Sequence, residues 1–212
     1  MLLIAHRGDK KNFPENTPEA FRSALKKGAG GIEFDVHVEN NQAIIVHDYL
    51  HTPKNYPKLQ EVLEEFGSQT HLEIEIKSFS KEGLKIISQT INKFLLKDVE
   101  ITSSIHPLIP YVKEAFPKHL VGEIFPDRLF EEWMTNEFLE HYFLGYLQLT
   151  KAGAIHLPTF IFNTQIIKSL KKKGYLLHHH LKTDNKEDYE KLVNLGIDFA
   201  TFDDINLLEK IK

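Results

Sequence analysis

Carboxylates in the first third of the chain are spaced in a way that suits metal binding. Glu33 and Asp35 are two residues apart in an apolar segment, so on a β-strand both side chains point to the same face. Two carboxylates in a closed interior repel each other and raise each other's pKa, a cost that a hard divalent cation removes. Glu75, on the next predicted strand, adds a third oxygen ligand. The pattern therefore predicts a site for Mg²⁺ or Ca²⁺ formed by these three residues.

Two histidines and two fixed cations accompany the carboxylates. His6 and Arg7 end the first apolar segment, and Lys77 ends a later one. A turn at Asn40-Asn41 brings His47 nearly opposite the first two carboxylates in an antiparallel strand pair. Arginine can hold two phosphate oxygens at once, and lysine acts as a point charge. A metal, two imidazoles and two cations together indicate a site that cleaves a phosphate ester.

Short apolar segments that alternate with amphipathic ones must position these side chains. The apolar segments predict strands at residues 2–5, 31–38, 43–46, 72–76, 99–103, 120–125, 154–157, 175–181 and 199–202. The amphipathic segments predict helices at residues 18–27, 59–66, 82–96, 107–116, 129–143, 164–173 and 186–195. Thr17 is the expected N-cap of the first helix, with Pro18 at its first position and Gly28 at its end.

The order of these elements predicts the α/β class and a TIM-type (β/α)8 barrel. Strand 43–46 follows strand 31–38 through a turn too short for a helical crossover, so it is expected to be an extra antiparallel return strand. Eight strands then remain, and helices between them predict a parallel sheet. Such barrels usually need about 250 residues, and about 200 is near the minimum, so we expect short loops and a single domain over residues 1–212.

Composition excludes several classes of function. The chain has no cysteine, which excludes disulfides, thiolate metal sites and a cysteine nucleophile. A formal net charge of −4 gives no basic footprint for nucleic acid. No apolar run approaches the roughly 20 residues of a membrane span, and the N-terminus lacks the pattern of a signal peptide. We therefore expect a cytoplasmic protein with no nucleic-acid partner and no transmembrane segment, and the sequence leaves its oligomeric state open.

Four motifs in the first third of the chain resemble those of the glycerophosphodiester phosphodiesterase family, within the PLC-like phosphodiesterase superfamily. They are His6-Arg7-Gly8 with residues 14–17 (PENT), residues 28–36 (GAGGIEFDV), residues 46–48 (VHD) and residues 73–77 (EIEIK). Weaker similarity continues through Ser103-Ser104 and the closing segment around residues 195–203. The resemblance therefore extends over nearly the whole chain, although its specific motifs lie within 77 residues.

The resemblance implies a TIM barrel that hydrolyses a small phosphodiester, giving glycerol 3-phosphate and an alcohol, with a divalent cation. It implies that His6 and His47 are the acid–base pair, without saying which is the acid. It further implies that Arg7 and Lys77 hold the phosphate and that Glu15 orients Arg7 or His6. The three carboxylates predicted above would bind the cation.

Three differences from the family pattern leave the substrate open. A threonine-x-aspartate-glycine turn is replaced by residues 39–42 (ENNQ). Only residues 49–58 separate His47-Asp48 from the next helix, where the family has a capping insertion, and Lys182 takes a position in the family's tryptophan-threonine-valine-asparagine segment. The alternatives are phospholipase D-like action on a larger choline-bearing lipid, which would need an exposed apolar rim, and a non-catalytic phosphate-binding barrel. The aromatic stretch 130–146 suits either such a patch or, by default, helical core packing.

Some polar residues outside the motifs also have two interpretations. Glu73 could bind the metal or pair with Lys77 or Arg7. His178 and His180 share one face of their strand, which suggests zinc. Because the sequence identifies no third ligand, structural or pocket-lining roles are favoured for these histidines.

Overall fold

Strands and helices alternate along the part of the chain that the computed structural model describes, residues 1–48, 55–78 and 80–212. The strands are β1 (Leu2–His6), β2 (Gly31–Glu39), β3 (Gln42–Ile45), β4 (His71–Ile76), β5 (Asp98–Ser103), β6 (Leu120–Ile124), β7 (Ala154–Leu157), β8 (Leu176–Leu181) and β9 (Phe199–Phe202). The α-helices are α1 (Pro18–Lys27), α2 (Leu59–Phe66), α3 (Lys81–Ile91), α4 (Ile109–Ala115), α5 (Asn136–Thr150), α6 (Thr164–Lys172), α7 (Lys186–Leu195) and α8 (Leu207–Lys210). Residues 49–54 of the short segment predicted in place of a capping insertion lie outside the described residues.

Eight of the strands form a closed parallel barrel. They are hydrogen-bonded in the order β1-β9-β8-β7-β6-β5-β4-β2, and pairing of β1 with β2 closes the ring. Strand β3 lies outside the ring and pairs antiparallel with β2. The predicted TIM-type barrel with an extra return strand is therefore confirmed. In this fold the carboxyl ends of the strands meet at one mouth, where active sites are built.

Helix α1 begins and ends at the residues that the sequence predicted. The Thr17 hydroxyl accepts a hydrogen bond from the Ala20 N–H at 3.3 Å, and Pro18 follows at the first helical position. Gly28 ends the helix with a φ of 104°, in the left-handed region that a glycine adopts without strain. The strand-to-helix connection that carries the first motif is thus held by local chemistry.

Two other helices have ends that differ from the predicted ones. The helix predicted at residues 82–96 ends at Ile91, and the chain then turns so that Leu95 is 95% exposed. The helix predicted at residues 129–143 is α5, which begins only after Thr135 accepts a hydrogen bond from the Phe138 N–H at 3.2 Å. Both errors arose because apolar residues in the adjoining loops have helix-like spacing, whereas caps and turns decide where the helix stops and starts.

The main apolar core lies between the outer face of the barrel and the surrounding helices. Ile32, Phe34 and Val36 on β2 are completely buried, and the Phe21 ring of α1 packs 5.7 Å from that of Phe34. The opposite face of β2 carries Glu33 and Asp35, as predicted. Strand β2 therefore buries apolar side chains outside the barrel and carboxylates inside it. Within the described residues, no helix combines the length and hydropathy required to cross a membrane.

Candidate active site at the barrel mouth

The three carboxylates predicted as metal ligands lie together inside the barrel. Asp35 and Glu75 are direct partners in the parallel pairing of β2 with β4, and Glu33 precedes Asp35 by two residues on the same face. All three are buried, and one ligand atom from each lies within 4.8 Å of those from the other two. Strand register therefore produces a compact set of oxygen donors.

Glu33 and Asp35 differ in how far the surrounding protein offsets their negative charge. Burial, together with the charges of Asp35 and two other acids, raises the pKa of Glu33 well above its usual value. Burial also disfavours the charged form of Asp35, but Lys77 and Arg7 outweigh it and hold the pKa of Asp35 below its usual value. The surrounding protein therefore offsets the charge of Glu33 less than that of Asp35.

Arg7 and Lys77 hold positions on either side of Asp35. The Nε atom of Arg7 is 3.0 Å from Asp35 Oδ2, and the Nζ atom of Lys77 is 3.3 Å from Asp35 Oδ1 and 2.8 Å from Glu75 Oε1. Arg7 Nη1 donates to both carboxylate oxygens of Glu15, at 3.0 and 3.2 Å. The structure thus brings both predicted phosphate-binding cations into contact with the carboxylate set and places Glu15 in contact with Arg7.

The backbone of Arg7 has an unusual conformation that places its N–H beside Glu33. Its φ is 61°, a left-handed conformation that side chains other than glycine, asparagine and aspartate rarely adopt. Its N–H donates to Glu33 Oε2 at 3.0 Å and to the Glu33 carbonyl oxygen at the same distance. The strained turn after β1 therefore presents a main-chain donor to the carboxylate set while it aims the guanidinium across it.

His6 lies at the end of β1 with its two ring nitrogens in different surroundings. Nδ1 is 2.6 Å from Asp203 Oδ1, and Nε2 is 3.8 Å from Glu33 Oε2. Lys10 Nζ is 2.7 Å from the same oxygen of Asp203. Although burial raises the pKa of Asp203, hydrogen bonds from His180 and His6 hold it well below its usual range, so this carboxylate is an acceptor. Lys10 Nζ is also 3.0 Å from His6 Nδ1. The Asp203 carboxylate favours the tautomer with the proton on Nδ1, which leaves a lone pair on Nε2 facing the carboxylate set.

Burial also keeps the His6 ring neutral. It lowers the pKa of His6 to about 4, although the hydrogen bond to Asp203 opposes the shift. A neutral imidazole with a lone pair on Nε2 is able to accept a proton at neutral pH.

His47 lies on the other side of the carboxylate set, beyond the end of β3. The adjoining Val46 N–H donates to the Asp35 carbonyl oxygen at 3.0 Å, which holds this segment beside β2. The His47 side chain is 34% exposed, and its Nδ1 is 2.6 Å from Asp48 Oδ1. It lines a cavity of about 490 Å³ with Glu15, whereas His6 lines a neighbouring cavity of about 340 Å³ with Glu33 and Glu75. His6 therefore shares a cavity with two of the carboxylates, whereas the cavity that His47 lines contains Glu15 and Asn16, which contact Arg7 and Asp35.

Several residues in this network were not among the predicted site residues. Asn16 Nδ2 donates to Asp35 Oδ2 at 3.0 Å, and the Ser104 hydroxyl donates to Glu75 Oε1 at 2.9 Å. The position of Asp203 directly after the last barrel strand could have marked it as a site residue, because active-site residues lie at that end of the strands. No feature of the sequence marks Lys10, because a lysine in a loop is usually a solvated surface residue.

The histidines of β8 face as predicted, but a third potential metal ligand lies beside them. His178 and His180 point into the barrel as predicted, and the His179 ring packs instead against Phe162, 4.9 Å away between centroids. A third potential ligand does exist, because Glu73 lies 3.5 Å from His178 Nε2. For Glu73 the sequence left metal binding and pairing with Lys77 or Arg7 open; among the described residues its carboxylate oxygens contact His156, His178 and Thr201.

Comparison with known proteins finds that this chain is similar to proteins named as phosphodiesterases. Residues 6–52 match the model of the glycerophosphoryl diester phosphodiesterase family. A glycerophosphodiester phosphodiesterase of Caldanaerobacter subterraneus subsp. tengcongensis is 29% identical over 99% of this chain and 98% of its own length. That alignment spans 257 positions against the 212 residues of this chain, so the relative has segments that this chain lacks. Human glycerophosphodiester phosphodiesterase 1 is 44% identical over 46 residues, which are 21% of this chain and 14% of that protein.

Solved structures of similar fold carry related descriptions. The glycerophosphodiester phosphodiesterase of Thermotoga maritima superposes with a TM-score of 0.77 at 21% identity, covering 100% of this chain and 98% of that one. A phosphodiesterase of Oleispira antarctica, crystallised with the product sn-glycerol-3-phosphate, gives a TM-score of 0.80 at 20% identity and covers 100% and 95% of the two chains. At these identities the superpositions support the fold alone.

Proposed function

We propose that this chain is a member of the glycerophosphodiester phosphodiesterase family and that its barrel mouth hydrolyses glycerophosphodiesters to glycerol 3-phosphate and an alcohol with a divalent cation. The match of residues 6–52 to the family model and the relative that is 29% identical over nearly the whole chain support this proposal. The observation that carries the proposal is that two cations and a neutral His6 adjoin three buried carboxylates: Arg7 and Lys77 contact Asp35, and His6 Nε2 is 3.8 Å from Glu33. The sn-glycerol-3-phosphate bound as product to the Oleispira antarctica enzyme supports glycerol 3-phosphate as the product proposed here.

The residues at the mouth fit a hard cation. Asp35 Oδ1 is buried and, apart from its ion pair with Lys77, accepts no hydrogen bond from the described residues, and the pKa of Glu33 is raised because burial leaves its charge poorly compensated. A cation held by these two residues and Glu75 would relieve both conditions, and such all-oxygen sets suit Mg²⁺ and Ca²⁺. When bound, the ion supplies positive charge that offsets the charge of the phosphate and acidifies a nearby hydroxyl.

In the proposed mechanism His6 is the general base and His47 the general acid. Nε2 of His6 takes the proton of the attacking hydroxyl, and Asp203 accepts the hydrogen bond from Nδ1 and stabilises the imidazolium that results. His47, on the opposite side of the carboxylates, donates a proton to the oxygen of the leaving alcohol. When the attacking hydroxyl belongs to the glycerol next to the phosphate, this step leaves a cyclic phosphate. Water then opens the ring as His47 takes a proton from the water and His6 returns its proton to the glycerol oxygen, which gives glycerol 3-phosphate and restores both histidines.

Arg7 and Lys77 hold the phosphate in this proposal. Among the described residues, Arg7 uses Nε and Nη1 for its contacts with Asp35 and Glu15, which leaves Nη2 to donate to a phosphate oxygen. Carboxylates on both sides raise the pKa of Lys77 despite its burial, so it remains charged. Two cations fixed in advance reduce the cost of ordering the phosphate before reaction.

The test is hydrolysis of glycerophosphocholine with Mg²⁺, with Ca²⁺ and with EDTA. We expect metal-dependent turnover that falls by roughly 10²–10⁴-fold in His6→Gln and in His47→Gln, because each removes one proton transfer. His141→Gln is the matched control, since His141 is exposed on α5 and bonds only the Glu137 carbonyl oxygen among the described groups. Equal activity in all three variants, or full turnover in EDTA, would contradict the mechanism.

A second candidate substrate is a lysophospholipid with a choline headgroup. It is favoured by an exposed apolar rim that continues from the segments lining one side of the His6 cavity. The members of this rim are Leu129, Trp133, Phe138 and Phe160, which are 37%, 60%, 38% and 49% exposed. Lysophosphatidylcholine in the same assay distinguishes the two, because a preference for it over glycerophosphocholine would assign the rim to an acyl chain.

A further inference from the structure

A second cluster of metal-binding side chains lies deeper in the barrel than the carboxylates at the mouth. Glu73 on β4, His156 on β7 and His178 on β8 are buried, and one ligand atom from each lies within 4.8 Å of the others. The nearest approaches are His156 Nδ1 to Glu73 Oε1 and His178 Nε2 to Glu73 Oε2, both 3.5 Å. Two ligands of one tetrahedral zinc ion lie about 3.4 Å apart when their bonds are about 2.0–2.1 Å long.

The remaining ring nitrogens face a second carboxylate. Glu100 Oε1 is 3.0 Å from His156 Nε2, and Glu100 Oε2 is 3.5 Å from His178 Nδ1. Metal-bound histidines commonly direct their far nitrogen at a carboxylate, which fixes the tautomer and makes the other nitrogen a better ligand. Glu100 therefore occupies the supporting position for both imidazoles at once.

The cluster contains buried polar atoms that lack hydrogen-bond partners. Its two imidazoles stack with their ring centroids 3.9 Å apart. Glu100 Oε2 and His178 Nδ1, in side chains that are 0% and 1% exposed, have no hydrogen-bond partner among the described residues.

The barrel is shaped to accommodate this arrangement. A Cβ atom at Gly122 would lie 2.3 Å from Glu100 Oε1 and 2.9 Å from His156 Nε2, so only glycine on β6 leaves space for their contact. The cluster also borders the cavity of about 340 Å³ that His6 lines, so an ion would have an open coordination position and a route of entry. The Thr201 hydroxyl, 2.5 Å from His178 Nε2, would have to release that nitrogen when an ion binds.

We propose that Glu73, His156 and His178 form a second metal site, distinct from the carboxylates at the mouth and suited to Zn²⁺. Two imidazoles and one carboxylate with an open position form a zinc-type ligand set, whereas a set of carboxylates alone suits Mg²⁺ or Ca²⁺. The proposal does not depend on the chemistry at the mouth, because binding is measured without substrate.

Calorimetric titration of the metal-stripped protein with Zn²⁺, in excess Mg²⁺ to occupy the mouth, tests the proposal. We expect one zinc equivalent, with affinity reduced at least 100-fold in His156→Leu and His178→Leu and about 10–100-fold in Glu100→Gln. His179→Leu is the matched control, since this buried histidine is on the same strand and faces out of the barrel. Glu75→Gln, which alters only the mouth, should retain the zinc site.

Titration of the wild-type protein with Co²⁺ gives a second measurement that needs no variant. Visible absorption of the intensity typical of four- or five-coordinate Co²⁺ supports the proposal, and only the weak bands of octahedral Co²⁺ would overturn it. Zinc affinity unchanged in both histidine variants, or lost in His180→Leu instead, would overturn it as well.

Discussion

The carboxylate of Asp203 is the residue on which the orientation of His6 depends. It accepts from His6 Nδ1 at 2.6 Å and from His180 Nε2 at 3.0 Å, and Lys10 Nζ bonds the same oxygen at 2.7 Å. Its effect on catalysis would be indirect, since it would hold one tautomer of His6 and stabilise the charge that His6 acquires. Asp203 is therefore a positioning residue in the proposed mechanism.

Asp203→Asn should lower kcat for glycerophosphocholine by roughly 10²–10⁴-fold with little change in KM, because an amide can hold His6 in the wrong tautomer. Steady-state kinetics with both variants test this. Asp204→Asn is the matched control, since Asp204 is the next residue in the chain and its carboxylate pairs with Lys11 at the surface, 2.8 Å away. Equal kcat values in the two variants would rule out the role given to Asp203.

At the scale of the elements, the connection from β1 to α1 positions His6 and Arg7. Gly8 has a φ of 79°, and a Cβ atom there would lie 2.7 Å from the Ala20 backbone carbon, so only glycine lets the chain pass. Asp9 then ties the connection to α1, because its carboxylate accepts from the Ser23 hydroxyl at 2.6 Å and from Lys27 Nζ at 2.8 Å. The motif residues are thus held by the helix that follows them.

Asp9→Asn should destabilise the fold by about 1–3 kcal/mol at pH 7, because it weakens charge-assisted hydrogen bonds to a buried group. Although burial disfavours the charged carboxylate, hydrogen bonds from Lys27 and Ser23 hold the pKa of Asp9 below its usual value of 3.8. A depressed pKa contributes stability above pH 3.8 that is lost as the pH falls through the folded-state value.

Thermal unfolding of both proteins between pH 7 and pH 2 measures this difference. The gap in Tm between wild type and Asp9→Asn should be full at neutral pH and should narrow below about pH 3.8. Asp188→Asn serves as control, since its ion pair with Lys191 lies on the surface and contributes about 0–1 kcal/mol. A gap that stays constant with pH would show that the carboxylate charge of Asp9 is not the cause.

For the molecule as a whole, the polar interior of the barrel links function to stability. Apolar side chains pack outside the sheet, and the inward faces of β2 and β4 carry Glu33, Asp35, Glu73 and Glu75. Acids buried together disfavour the folded state unless a cation compensates them. A metal ion at the mouth would therefore tie two neighbouring strands together and remove repulsion at the same time.

Addition of Mg²⁺ or Ca²⁺ to the metal-free protein should raise Tm, and EDTA should reverse the increase. Binding only to the folded state contributes about 2.7 kcal/mol when the free ion is at 100 times its Kd. The increase should be largely lost in Glu75→Gln and kept in Glu64→Gln, whose acid is exposed on α2. The same increase in both variants would remove Glu75 from the ligand set.

Much of this architecture follows from patterns that act over a few residues. Strand alternation puts Glu33 and Asp35 on one face and Ile32, Phe34 and Val36 on the other, so inward carboxylates could be predicted without coordinates. The N-cap Thr17 and the stop at Gly28 are equally local. The barrel itself followed from the alternation of strands and helices.

Contacts between distant segments could not be obtained in this way. Asp203 meets His6 across 197 positions of sequence, and Glu73 meets His156 and His178 rather than Lys77 or Arg7. These pairings exist because closure of the ring brings β9 beside β1 and puts β7 and β8 across the interior from β4. Register and closure result from the packing of all eight strands together, so no local pattern encodes which buried charge will face which.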